Sequence, residues 1–225
     1  MILGLLFFTI NTTAQKKIMQ HEDKALWNRI RNVEVSNSGD YMLYNLGPEE
    51  KDQTLHVKDM DGRKIMTYER SKGGAFSYDS KHVVFAVNAL KDSIREMKRK
   101  KVKKKDLPKD SLLIYNLNSK SLQKIPNVKS YRLPEKWSGI VAYMLEAPKP
   151  AKKDTSKSKE NDTTKVKKKL KKVSKDNGFH LVIRNLETGV EDTLKYVHRY
   201  AMAKVGRHLV YATSGTVDSL GGGVY

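Results

Sequence analysis

No cysteine occurs in the 225 residues. Disulfides, thiolate metal sites, iron–sulfur clusters and cysteine nucleophiles are thereby excluded, because each needs a sulfur atom the chain lacks. Paired histidines are missing too. His21, His56, His82, His180, His198 and His208 never fall at the His-x-x-x-His or His-Glu-x-x-His spacing that sets two ligands on one helical face. Four of them, His56, His82, His180 and His208, lie in or beside strand-like stretches and read as packing or surface residues. No phosphate-cradling loop is present either, since Gly221-Gly222-Gly223 is not followed by the Lys and Ser/Thr such a loop uses. No metal, cofactor or catalytic residue is therefore assigned.

The apolar run Met1 to Ile10 is about half the ~20 residues a membrane-spanning helix requires, but it suits the core of a secretory signal. Ala14, with Thr12 two residues before it, offers a small-residue cleavage site. Residues 1–14 are accordingly read as a signal peptide, with a mature chain from Gln15 exported to the bacterial periplasm or beyond. No Lys or Arg precedes the run, and a buried first strand is the competing reading.

Charge is abundant, and one sign prevails: 44 Lys+Arg against 25 Asp+Glu, a balance of +19. Its location matters more than its size. Residues 91–110 carry ten cations and four carboxylates, and residues 146–177 carry twelve and five. Those 52 residues hold +13, leaving +6 on the other 173. The framework is an ordinary globular chain of sufficient length to bury a core. Its basicity sits in two insertions.

With the insertions set aside, a repeat emerges. Thr54–Tyr68, Ser111–Ile125 and His180–Leu194 align without a gap, each a strand-like stretch, a polar turn rich in Asn, Asp, Gly or Ser, and a second strand-like stretch. Each predicts a β-hairpin. A turn leading into an apolar run precedes every one: Val35 to Tyr44, Phe76 to Phe85 and, more loosely, Leu133 to Tyr143, with a fourth opening at Val205 to Tyr211. Apolar runs rich in Val, Ile, Tyr and Phe fit strands covered on both faces. The hairpins start 57 and then 69 residues apart, and subtracting insertions of 20 and 32 leaves 37 in both cases.

Four strands in about 40 residues is the unit of a β-propeller, whose blades cover one another's faces around an axis. The expected fold is all-β: a partial β-propeller of about three four-stranded blades plus the start of a fourth. Its expected parts are a lead-in over 15–32, blades over 33–68, 73–125 and 130–195, a fourth from 197 to 225, and insertions at 91–110 and 146–177. Since closure normally takes about four to eight blades, further sectors are expected beyond this sequence. A β-sandwich also accommodates regularly spaced short strands, but the ungapped hairpin repeat argues against it.

The turn and strand Ser36-Asn37-Ser38-Gly39-Asp40-Tyr41-Met42-Leu43-Tyr44 resemble the Ser-x-Asp-Gly repeat of WD40-like bacterial propellers, with Asn37-Ser38 departing at the Asp position. Together with Leu26-Trp27-Asn28-Arg29-Ile30 before the first blade, the export signal and the Lys-rich excursions, the chain resembles the N-terminal propeller of exported serine peptidases of the prolyl oligopeptidase and dipeptidyl-peptidase IV family. That resemblance implies a partner α/β-hydrolase domain carrying a Ser-Asp-His triad, peptide substrates, and a propeller that restricts access. This chain holds no Gly-x-Ser-x-Gly elbow; Ser214-Gly215 and Ser219-Leu220-Gly221 lack its first glycine. It is expected to be inactive alone. A stand-alone envelope propeller binding a protein or glycan is the alternative.

The first insertion predicts a helix, with Leu90, Ile94 and Met97 at helical spacing and Ser93 to Glu96 as a capping box. Val166, Leu170 and Val173 form a thinner stripe in the second. Clustered Lys could bind polyanions or a membrane surface, or simply form solvated loops, which close at low cost. Neither insertion contains the aromatics that single-stranded nucleic acid binders use for stacking, so nucleic acid is disfavoured as a partner.

Overall fold

The computed structural model describes residues 18–20, 23, 26–148, 172–215 and 221–225. The expected signal at 1–14, His21, Ser219 and most of the second insertion lie outside them. Thirteen strands are described: β1 (Asn28–Val35), β2 (Tyr41–Pro48), β3 (Gln53–Asp59), β4 (Lys64–Phe76), β5 (His82–Val87), β6 (Ser111–Asn116), β7 (Leu122–Ile125), β8 (Val128–Arg132), β9 (Ile140–Leu145), β10 (Phe179–Asn185), β11 (Glu191–Met202), β12 (Leu209–Thr213) and β13 (Gly223–Val224). One helix, α1 (Lys91–Arg99), and a 3-10 turn at Lys104–Asp106 interrupt them. Every strand pairs antiparallel with its neighbours in sequence, in one run from β1 to β7 and another from β8 to β13.

The three hairpins repeat down to their register. Leu55 pairs with Tyr68, Leu112 with Ile125 and Leu181 with Leu194, each pair displaced from the last by the intervals found in the sequence. The first hairpin closes with a tighter turn, Gly62 N–H donating to Asp59 O at 3.0 Å, and a register shift in β3–β4 takes up the residue this leaves over. The strand-entry turns match as well. Tyr41 N–H donates to Ser36 Oγ and His82 N–H to Ser77 Oγ, both at 3.0 Å, with Gly39 (φ 81°) and Ser80 (φ 58°) in the left-handed region at the turn.

Two strands are unusually long because each serves two blades. The first part of β4 pairs with β3 as far as Ser71, and the rest, to Phe76, pairs with β5. β11 divides in the same way between β10 and β12. At the crossing stands a residue with positive φ, Arg70 (58°) or Tyr196 (58°), and between β7 and β8 the corresponding residue is Asn127 (56°). Each carbonyl at these three corners accepts the N–H just after the second strand of the following blade: Asn88 to Arg70, Glu146 to Asn127 and Ser214 to Tyr196. A left-handed residue is uncommon outside glycine, so its recurrence marks where the chain crosses from the outer strand of one blade to the inner strand of the next.

β1 begins at Asn28, inside the stretch expected to be only a lead-in. Nearly all its side chains are exposed, so the in-and-out alternation that betrays a half-buried strand is absent.

Alternation on the other strands decides the packing. Val83, Phe85 and Val87 of β5, with Leu113 and Tyr115 of β6, pack on Leu43, Leu55, Val57 and Met66 of the preceding blade. The residues between them, Val84, Leu112 and Ile114, face the other way onto Val141, Tyr143 and Val182. Ala142, Met144 and Leu181 then turn to Val197, with Tyr200, Met202 and Leu209 at the rim. Sheets buried on both faces need apolar residues at consecutive positions, which is why β5, β6 and β9 read as continuous apolar runs. Burying each such Leu, Val or Phe stabilises by about 1.5–3 kcal/mol.

Four sheets thus stack face to face in chain order, three with four strands and the last with three among the described residues. The chain is a partial β-propeller. Both ends of the stack expose apolar side chains: Ile30, Val33 and Val35 on β1, and Val210 and Val224 on β12 and β13.

Candidate functional site

In a propeller the inner strand of each blade lines the axis, and here those strands are β1, the latter halves of β4 and β11, and β8. Their neighbourhood is built from side chains that reach across blade boundaries. Asn32 Nδ2 donates to Gly74 O at 2.8 Å, and Phe76 N–H donates to Glu34 Oε1 at 3.1 Å, so the first inner strand satisfies backbone groups of the second. Tyr131 Oη donates to Val84 O at 3.5 Å and Tyr200 Oη to Ala142 O at 3.3 Å, each phenol bridging to the preceding blade. These tyrosines stand 69 residues apart, the interval of the second and third hairpins. Extending the repeat alignment backwards into the inner strands would have revealed them.

Burial sets the chemistry of this cluster. It raises the Glu34 carboxyl above its ordinary value, against the opposing effect of the Phe76 bond. Tyr131 is pushed up to about 12, first by burial and then by the charge of Glu34. At neutral pH Tyr131 is a neutral phenol that donates a hydrogen bond, and it acts as a brace. The wall is otherwise basic and solvated, with Arg29 and Arg31 both pairing with Glu49 at 3.0 and 3.3 Å. Lys72, Arg132 and Arg199 lie on the other inner strands. Such half-exposed pairs contribute little stability.

The histidines are scattered through the framework. His82 is 2% exposed, and its Nε2 lies 3.1 Å from Asn116 Nδ2. His56 stacks on Tyr44, with ring centroids 5.2 Å apart, and His180 meets Tyr196 edge-on at 5.6 Å. Burial, the leading cause in each, holds all three below the ordinary imidazole value. His198 and His208 are exposed. Among the described residues no group of three His, Asp or Glu is placed to hold a metal ion. Ser214 Oγ donates to Asn177 O at 2.6 Å and so serves the loop structure.

The first insertion does form a helix, but its expected capping box is not the cap. α1 starts at Lys91, with Leu90 at the N-cap and no side-chain cap bond. The helix start is held instead from the neighbouring blade: Lys91 N–H donates to Asp52 Oδ2 at 3.1 Å, and Arg95 donates to Glu50 O at 3.1 Å. A tertiary partner therefore displaced the local one. Glu50 and Asp52 sit in the short β2–β3 connection, with no local signal of this role.

No family model matches the sequence, and no curated protein matches it. Solved structures do. The β-propeller domain of the Trilobed protease from Pyrococcus furiosus is 12% identical, with a TM-score of 0.48 over 83% of this chain and 49% of that one. Pyrococcus horikoshii acylaminoacyl peptidase is 12% identical, with a TM-score of 0.47 over 83% of this chain and 28% of that one. A eukaryotic initiation factor is 10% identical, with a TM-score of 0.41 over 75% and 33%. The chain spans half or less of the length of each.

Proposed function

We propose that this chain is the N-terminal propeller portion of an exported serine peptidase resembling the prolyl oligopeptidase family, where it restricts the entry of large substrates to an α/β-hydrolase domain. The observation that carries this reading is the stack itself. Its end blades expose Ile30, Val33, Val35, Val210 and Val224, so a closed ring needs further sheets against those faces. Its inner strands present a basic, solvated wall suited to a passage. The sequence supports the reading through the Ser36-to-Tyr44 motif, the Trp27 entry and the apolar run before Ala14.

The hydrolase domain would supply the nucleophile, while this part supplies the wall, braced across blades by Asn32, Glu34, Tyr131 and Tyr200. The test is to express the complete gene product and assay short blocked peptide p-nitroanilides against a folded protein substrate. Hydrolysis of the peptides with the protein left intact is expected, and a Gly-x-Ser-x-Gly serine elsewhere in the gene must be required. A gene product of about 300–400 residues with no such element and no hydrolysis refutes the peptidase reading and favours a stand-alone binding propeller.

A further inference from the structure

Between α1 and the seam of the second and third blades lies an open cavity of about 890 Å³, a size typical of small-molecule sites. Four cations reach it from the insertion: Lys91, Arg95, Lys98 and Lys104. A fifth insertion residue, Lys109, joins them, and two more cations come from the blades, Lys72 and Lys129, against only two carboxylates, Asp110 and Glu146. Lys109 and Glu146 face one another at 3.8 Å, and burial, the leading cause, raises the Asp110 carboxyl. Lys98 and Lys104 make no ion pair with any described residue. The remaining lining is Asn88 and apolar residues that include Ile94, Val102, Leu107 and Val128.

We infer that this cavity binds a phosphate monoester bearing a short apolar body, its phosphate among the lysines and its hydrocarbon against Ile94, Val102, Leu107 and Val128. Six of the seven cations are lysines, compact point charges that can gather around a phosphate dianion without a fixed bidentate geometry. A cavity of this volume is too small for a nucleic acid duplex, and it has no aromatic lining on which single-stranded bases could stack. Its floor comes from rigid strands, and its outer wall, α1, is tethered to the first blade through Asp52 and Glu50. The site is therefore formed before any ligand arrives.

Calorimetric titration of the protein with n-hexyl phosphate tests this, with inorganic phosphate and 1-hexanol as partial probes. Hexyl phosphate is expected to bind at least tenfold more tightly than either, with affinity falling between 50 and 200 mM salt. The double variant Lys98→Glu/Lys104→Glu should lose at least tenfold in affinity while keeping the wild-type circular dichroism. Lys58→Glu, on the first blade, should change nothing. Vesicles of phosphatidylcholine with and without phosphatidic acid separate the sources. Retention on the acidic vesicles that hexyl phosphate competes away supports a lipid headgroup, whereas binding of soluble hexyl phosphate without retention supports a free organophosphate. Equal affinity for hexanol, or an affinity unchanged in the double variant, overturns the inference. Charge-dependent oligonucleotide binding without hexyl phosphate binding overturns it as well.

Discussion

Leu112 and Leu113 are adjacent on β6 and both fully buried, yet they belong to different seams. Truncating either to alanine removes the same three carbons, so composition and secondary structure change identically. Only the location of the cavity differs. A Leu→Ala change at a fully buried site costs about 3 kcal/mol. In a stack where each sheet touches only its neighbours, that loss falls first on the seam that lost the contact. Leu112→Ala should loosen β9 and β10, which carry Val141, Tyr143 and Val182 of the shared core. Leu113→Ala should loosen β2 and β3, which carry Leu43, Leu55 and Val57. At tenfold per 1.4 kcal/mol, amide exchange through local opening should accelerate roughly 100-fold in the affected strands. Hydrogen exchange followed by mass spectrometry resolves these strands as separate peptides. If the two variants give the same exchange profile, or if Leu112→Ala frees β2 and β3 as much as β9 and β10, the blade-by-blade packing is wrong.

Gly178 has φ 91°, and a Cβ there would lie 2.4 Å from Tyr196 O; Gly178→Ala should therefore part the start of β10 from the Tyr196 corner of β11 within the third blade and lower the thermal midpoint by many degrees, whereas Gly189→Ala, whose nearest neighbour is the flexible Arg184 guanidinium, should cost far less. Asn32 has φ 51° and donates to Gly74 O. Asn32→Gly keeps the backbone conformation and loses only the bond, about 1 kcal/mol in chemical denaturation, while Asn32→Ala should lose more because it also strains φ. His82 is held below 6.5 first by burial, with Asp79 and Glu187 pulling upward and Lys81 pulling down. The unfolded chain therefore binds that proton more readily, and the stability His82 confers is complete above pH 6.5 and lost as pH falls towards the folded value. His82→Gln should flatten the fall in melting temperature between pH 7.5 and 5, leaving the part due to His56 and His180; an unchanged slope would show that His82 is not held neutral.

Much of the fold was legible because the residues that determine it act locally or repeat. Ser36 and Ser77 build the same turn with the same five-residue reach, and Leu55, Leu112 and Leu181 hold the same rung of their hairpins, so periodicity exposed both. β1 escaped notice for the opposite reason. Its partners in the neighbouring blade are backbone groups, Gly74 O and Phe76 N–H, reached by Asn32 and Glu34, and no apolar alternation accompanies them. The cap of α1 escaped for a related reason: Asp52, 39 residues away, holds the Lys91 N–H two residues ahead of the expected box, and a contact between blades leaves no trace in local spacing. The inner tyrosines lie between these cases. Tyr131 and Tyr200 do repeat, but in strands too exposed for a hydropathy pattern to mark.

The two insertions leave the framework at equivalent places, each between the second and third strand of a blade, from β5 to β6 and from β9 to β10. The first blade closes the same connection with a short turn after Pro48, and that turn is where α1 docks. The second and third strands of successive blades run alike, so these connections share one rim of the stack. The first insertion, residues 91–110, brings +6 of the net charge to that rim. The opposite rim carries compact, nearly neutral turns linked blade to blade, with Ser38 N–H donating to Ser80 Oγ at 3.0 Å and Trp137 Nε1 to Ala203 O at 3.0 Å. Linked turns fix the spacing of the blades, and a rim so tied has little freedom to remodel around a partner. The other rim varies in length from blade to blade without disturbing any seam, since its loops begin and end on paired strands. A chain built this way can acquire a new binding surface there at small cost to folding. Charge added on that rim is therefore expected to alter what the propeller binds before it alters how stable it is.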